Sequence, residues 1–318
     1  MTDCGASRES CCTSPEVACG TYYRTYTNVG TGPTEEADPA QVSGFRLDKY
    51  LVTVGRFRQF ARAWNGGARD LPPAGAGKHA YLNGGRGLSA TGGGYEPGWV
   101  ASDDSHIAPT DANLDCANPT TGTSYATWTT SAGQNESLPI NCVNWWEAYA
   151  FCIWDGGVLP NESEWEYAAA GESQQRAFPW GTMDPGEDSQ YAIYNCLFPS
   201  GSTKCTGVAN IAPVGIAALG AGRWGQLDMA GEVAQWNLDS YAAYADPCAD
   251  CAHLMAASSR MIRGGDFLYV HVDIPVPPPL PGTVQPPYAV SFWAPPYRLG
   301  ISPADRNGAL GFRCARAP

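Results

Sequence analysis

Apolar residues along the chain recur at two periods, and each period predicts an element. In "FRLDKYLVTVGRFRQFARAW" (residues 45–64) a short strand over Phe45–Tyr50 precedes an amphipathic helix, with Phe57, Phe60 and Ala61 at helical spacing and Thr53 as its N-cap. The stretch "PINCVNWWEAYAFCIWDGGVLPNESEWEYAAAG" (139–171) carries two capping boxes, Asn144 with Glu147 and Asn161 with Glu164. The first predicts a helix that runs to Asp155 and stops at Gly156-Gly157; the second predicts a short helix over "SEWEYAAAG". "RGGDFLYVHVDI" (263–274) alternates instead. It predicts a strand with Leu268, Val270, Val272 and Ile274 on one face and Tyr269, His271 and Asp273 on the other. Residues 66–135 are rich in Gly, Asp and Thr and show little periodicity, which predicts a long functional or self-packed loop.

Composition narrows the class. The 318 residues include 37 Gly and 26 Pro but only 16% charged side chains, a mixture that suits irregular loops on a modest scaffold. No apolar run is long enough to span a membrane. A net charge of −12 with no basic cluster argues against nucleic acid and anionic lipid as partners and favours cations such as Ca²⁺. Twelve cysteines, several in short local pairs, point to an oxidising compartment. "MTDCGASRES" has no apolar core of a signal peptide, so either an export signal was removed before this numbering or the start is not the native one, and the mature protein is read as exported. Residues 1–43 read as a disulfide-pinned arm and 44–318 as one domain.

Five segments add a resemblance. "FRLDKYLVTVGRF", the 139–171 stretch, "LDMAGEVAQW", "RMIRGG" and "GFRCA" occur in an order and spacing that resemble the formylglycine-generating enzyme (sulfatase-modifying factor) family over residues 44–318. The resemblance implies an α+β, C-type-lectin-like fold of two main helices, small antiparallel sheets and many loops. It also implies oxidation of a substrate cysteine with O₂ and a copper ion held by two cysteines, soft ligands that select Cu(I). The corresponding positions here are Tyr269 and Ile274, so no copper–thiolate chemistry is expected. The family's serine after "GG" is Asp266, and the tryptophan of its turn is Ala234. The resemblance pairs Cys152 with Cys314 and places a lost second family disulfide near Ala169 and Ala294. Proximity in sequence pairs Cys116 with Cys142, Cys196 with Cys205 and Cys248 with Cys251, and leaves Cys4, Cys11, Cys12 and Cys19 to pair among themselves. "CADCAH" is thereby read as a structural disulfide, since no second Cys/His pair completes a zinc site.

The resemblance further implies calcium at the turn 228–235, through the Asp228 and Gln235 side chains and the Gly231 and Val233 carbonyls. A weaker second site would use Asn195 with the Cys196 and Val208 carbonyls, its usual aspartate being Thr206. Tyr269, His271 and Asp273 occupy the family's reactive position without its reactive residues; with Trp293, Tyr297 and Arg298 they are expected to form a ligand surface. Proline runs around them suggest a stiff extended loop shaping a groove. Arg298, Asp305 and Arg306 in the closing loop also have a structural reading; the sequons at Asn135 and Asn161 are weak signals, and Asn161 is read first as a helix cap. The expected function is an exported binding or assembly module for a glycan, peptide or neighbouring subunit at the cell surface. The alternatives are a metal-dependent oxidase or oxygenase built on His271 with Asp273 or Tyr269, and a self-assembling structural subunit.

Overall fold

The protein is described by a computed structural model covering residues 3–64, 71–116, 124–268 and 293–318. Three helices carry the apolar packing: α1 (Val54–Trp64), α3 (Trp145–Trp154) and α4 (Glu162–Ala170), with a single turn, α2 (Asp111–Leu114), between the first two. Their starts follow the sequence signals. The Thr53 hydroxyl accepts from the Arg56 N–H at 3.2 Å. Asn144 and Asn161 accept from the N–H groups of Glu147 and Glu164, whose carboxylates accept in return. α4 ends where Gly171 takes a left-handed conformation at φ 68°, one that an L side chain resists. α1, predicted from the spacing of Phe57, Phe60 and Ala61, joins the two capping-box helices, with Phe57 and Phe60 packed on Phe151 of α3 at 5.7 and 5.8 Å between ring centroids.

Among the described residues, four small sheets complete the fold. β4 (Phe45–Leu47) is central to the first, flanked by β1 (Glu16–Val17) and β12 (Ala315–Arg316), both antiparallel to it. The second has the order β10 (Leu299–Ile301), β9 (Arg260–Arg263), β6 (Ala234–Ser240), β11 (Leu310–Gly311). β6 is buried along its whole length, as a strand packed on both faces must be. The third joins β2 (Gly20–Thr27) and β3 (Thr34–Val42) to β7 (Cys248–Ala249), and the last pairs β5 (Ser89–Ala90) with β8 (Cys251–Ala252). Antiparallel pairing is joined by three parallel pairs, β11–β6, β3–β7 and β5–β8. Each parallel contact joins segments far apart in sequence, which the long loops permit.

The N-terminal arm is built into this body. Val17, Tyr22, Tyr26, Ala40 and Val42 lie in one buried cluster with Trp165 and Tyr167 of α4. Five disulfides form: Cys4–Cys11, Cys116–Cys142, Cys152–Cys314, Cys196–Cys205 and Cys248–Cys251. The four arm cysteines do not all pair. Cys11 is buried against Cys4, whereas Cys12, its neighbour, points outward, and Cys12 and Cys19 are exposed thiols.

Candidate functional site: the RGG turn and the loops beneath it

Over the described part of 263–274, residues 263–268, the predicted strand is not continuous. β9 stops at Arg263, and Gly264 (φ 97°) and Gly265 (φ 62°) turn the chain. A side chain on Gly264 would fall 2.9 Å from the Met229 carbonyl, so both backbone conformation and space demand glycine there. After the turn Phe267 is buried, its N–H donating to the Glu232 carbonyl. Leu268, expected to lead an apolar face, is 36% exposed. Tyr269, His271, Asp273 and Ile274 lie outside the described residues.

The rest of the expected ligand surface is rearranged. Trp293 is 1% exposed and packs on Tyr194, ring centroids 4.4 Å apart. It belongs to the core because a flat apolar ring gains most from full burial. Arg298 is also committed to the interior. Its Nε lies 2.8 Å from Glu162 Oε1, its Nη2 donates to Glu162 Oε2 at 2.9 Å, and its guanidinium covers the Tyr244 ring at 4.0 Å. Tyr297 is half-buried and lines a cleft of ≈ 30 Å³ with Arg263, Gly265 and Asp266, room for about one water molecule.

Below the turn lies a charge network that the sequence did not reveal. Arg263, fully buried, donates to Glu162 Oε1 (2.5 Å), Glu166 Oε2 (2.9 Å), the Tyr244 hydroxyl (2.6 Å) and the Pro295 carbonyl (2.6 Å). Burial pushes Glu166 up to about 8 against the pull of Arg263, while the two arginines outweigh burial and hold Glu162 below its ordinary value. A second cluster joins His79 to α4. Its Nδ1 lies 3.1 Å from Glu96 Oε2 and its Nε2 3.1 Å from Glu164 Oε2, and Tyr81 donates to Glu164 Oε1 at 2.8 Å. The one available signal was compositional: Glu162, Glu164 and Glu166 alternate in a helix whose every residue is buried, and buried carboxylates require partners.

In the turn expected to hold calcium, the Gln235 and Asp228 side chains are hydrogen-bonded within the protein. Gln235 Oε1 accepts from Trp165 Nε1 at 2.8 Å and from Arg313 Nε at 2.7 Å, while Gln235 Nε2 donates to the Asp228 carbonyl. Asp228 Oδ2 accepts from the Gly215 N–H at 2.7 Å, and Glu232, also buried, accepts from the Ala212 N–H. Arg313 spends its remaining donors on the carbonyls of Asp48, Lys49, Leu227 and Asp228, between 2.7 and 3.2 Å. A guanidinium has five N–H groups, and all five are used. At the second expected site the Cys196 carbonyl accepts from Asn210 Nδ2 (3.2 Å) and the Val208 carbonyl from the Ile211 N–H (3.0 Å). Asp228, Gly231, Val233 and Gln235 lie along one turn, and Asn195, Cys196 and Val208 lie in or beside the loop closed by Cys196–Cys205. Among the described residues no group of three or more His, Cys, Asp or Glu side chains is placed to hold a metal ion.

Arg306 in the closing loop is structural. Its two terminal nitrogens each reach a Glu147 carboxylate oxygen at 2.6 Å, tying that loop to the capping box of α3. Asn161, with its amide in the cap of α4, is buried and so closed to glycosylation as folded.

Comparison with known proteins agrees with this architecture. The family model for the sulfatase-modifying factor enzyme 1-like domain matches residues 7–318. A formylglycine-generating enzyme of Thermomonospora curvata is 27% identical over 256 residues, 75% of either chain. The mouse formylglycine-generating enzyme is 35% identical over 121 residues, 36% of this chain and only 32% of its own length. The bovine protein named inactive C-alpha-formylglycine-generating enzyme 2 is 28% identical over 196 residues, 60% of this chain and 56% of that one. The structure of PvdO from Pseudomonas aeruginosa superposes over 98% of this chain and 100% of its own with a TM-score of 0.55 at 18% identity, a likeness of fold. With its capping-box helices, RGG turn and Cys152–Cys314 bridge, the chain belongs to the sulfatase-modifying factor enzyme 1-like domain family.

Proposed function

We propose that this protein is an exported binding or assembly module that has left the copper–thiolate chemistry of its family behind. The supporting observation is the placement of its thiols. Five disulfides take ten of the twelve cysteines, and the two that remain, Cys12 and Cys19, are on the N-terminal arm. The positions matching the family's copper ligands hold Tyr269 and Ile274, whose side chains offer no thiolate. The bovine relative named as inactive supplies a precedent within the family. Five disulfides suit an oxidising compartment, and no helix among the described residues is long and apolar enough to cross a membrane. The partner is a glycan, a peptide or a neighbouring subunit, met by Tyr297 and the segment that carries Tyr269, His271 and Asp273. Trp293 and Arg298, which follow that segment in the chain, are committed to the interior.

The test uses the full chain and a Cys12→Ser/Cys19→Ser variant, each incubated with Cu(I), O₂ and a cysteine-containing peptide. Mass spectrometry should show unchanged peptide, and the variant should compete poorly with a chelator for Cu(I). Conversion of the peptide's cysteine to an aldehyde would sink the reading.

A further inference from the structure

Away from the RGG turn, three short segments enclose a second concavity, ≈ 360 Å³ in volume against ≈ 30 Å³ for the cleft beside Tyr297. Its lining is mixed: Phe198, Ile216 and Leu219 supply apolar surface, and Asp188, Gln190 and Ser200 supply polar groups. Ile216 is 44% and Leu219 52% exposed, two large aliphatic side chains left in solvent that meet at one concavity. The walls are fixed by the rest of the structure. The Leu219 N–H donates to the Gln190 carbonyl at 3.0 Å, and a side chain on Gly220 would fall 2.0 Å from the Tyr191 carbonyl, so the 216–219 turn is pressed against 188–191. Phe198 and Ser200 belong to the loop closed by Cys196–Cys205. Asn210, 1% exposed, holds that loop by donating through Nδ2 to the carbonyls of Phe198 (2.8 Å) and Lys204 (3.2 Å) and to the Ser202 hydroxyl (3.1 Å). The concavity is therefore formed before any ligand arrives, as small-molecule sites usually are.

Charge and size select the ligand. No basic side chain lines the concavity, and one Asp188 oxygen accepts only a long hydrogen bond, from Gln190 Nε2 at 3.3 Å. Asp184 and Glu187 precede Asp188 in the chain, while the loop 196–205 brings a single base, Lys204. The volume lies at the lower end of the range of about 300–1,000 Å³ that small-ligand sites occupy, with their usual pairing of an apolar lining and a few polar groups.

We infer that this concavity binds a small organic ammonium ion, its apolar body against Phe198, Ile216 and Leu219 and its charge beside Asp188. The site uses neither Tyr297 nor the segment after the RGG turn, so it stands or falls independently of the surface proposed above.

Ligand-observed NMR titrations of the full chain at low salt test it, with three probes that share a phenyl group and a short alkyl chain: phenethylamine (protonated at neutral pH), phenethyl alcohol and hydrocinnamate. The amine should saturate with a Kd of about 1 mM or below, the alcohol should bind more weakly, and the carboxylate weakest of all. Asp188→Asn should weaken the amine about two- to fivefold, the range of an exposed ion pair, and leave the alcohol unchanged. Leu219→Ser and Ile216→Ser, both at exposed positions, should weaken amine and alcohol alike by about three- to tenfold, with Tm unmoved. Should either serine variant fail to fold, Asp188→Asn still reads the charge. No saturation of the amine below about 10 mM, hydrocinnamate binding as tightly as the amine, or an unchanged Kd for the amine in Asp188→Asn would overturn the inference. So would an unchanged Kd in both serine variants, since the probe would then be bound elsewhere.

Discussion

His79 is fully buried, and its two ring nitrogens face two carboxylates, Glu96 and Glu164. Burial opposes a charge on the ring, but the two carboxylates outweigh it and hold the imidazole well above its ordinary value. A proton bound more tightly in the folded state makes its contribution in full below about pH 6.5, the unfolded value. That contribution then declines as the pH rises towards the folded value, by about 1.4 kcal/mol per pH unit. Tm should therefore fall between pH 6.5 and 7.5, with the loss continuing at higher pH, as followed by circular dichroism. His79→Gln should cost about 3–5 kcal/mol near neutrality, because it strands two buried acids. A flat Tm across that range would show that the ring carries no charge. This triad could not be read from the sequence. His79 and Glu164 are 85 residues apart, and a lone histidine in a Gly-rich loop gives no sign of what it will meet. Asn210 was equally silent, since an asparagine among turn residues is ordinary.

At the scale of elements, local chemistry was legible and non-local pairing was not. The two capping boxes fixed the starts of α3 and α4, and Gly156 and Gly171 marked their ends, because those signals act within four residues. The alternation in 263–274 was misleading over its first half. Gly264 and Gly265, read as part of a motif, in fact bend the chain before Asp266, and Phe267 turns into the core. Parallel pairs such as β5–β8, two residues long, leave no periodic trace. The capping residues also carry tertiary work. Glu147 caps α3 and binds Arg306; Glu164 caps α4 and binds His79. Asn161→Ala removes one cap and should cost about 1–2 kcal/mol in a denaturant titration. A larger loss would mean that displacing Glu164 also loosens the 79–96 loop.

For the whole molecule, the Cys152–Cys314 bridge is the longest constraint, closing 162 residues. In the chain-entropy picture that loop restricts the unfolded chain by about 5 kcal/mol, more than any other bridge here. A Cys152→Ala/Cys314→Ala variant should lower the denaturation midpoint accordingly, while loss of Cys248–Cys251, separated by 3 residues, should cost far less. Equal losses in the two variants would assign the bridges a packing role instead. The pairing of β4 has a consequence for how the protein is made. One edge of that strand is taken by residues 16–17 and the other by residues 315–316. A ribosome delivers the first partner before β4 itself and the second only after every other strand described here. Until then a growing chain carries a strand with one bare edge, available to the same edge on a neighbour emerging from the same message.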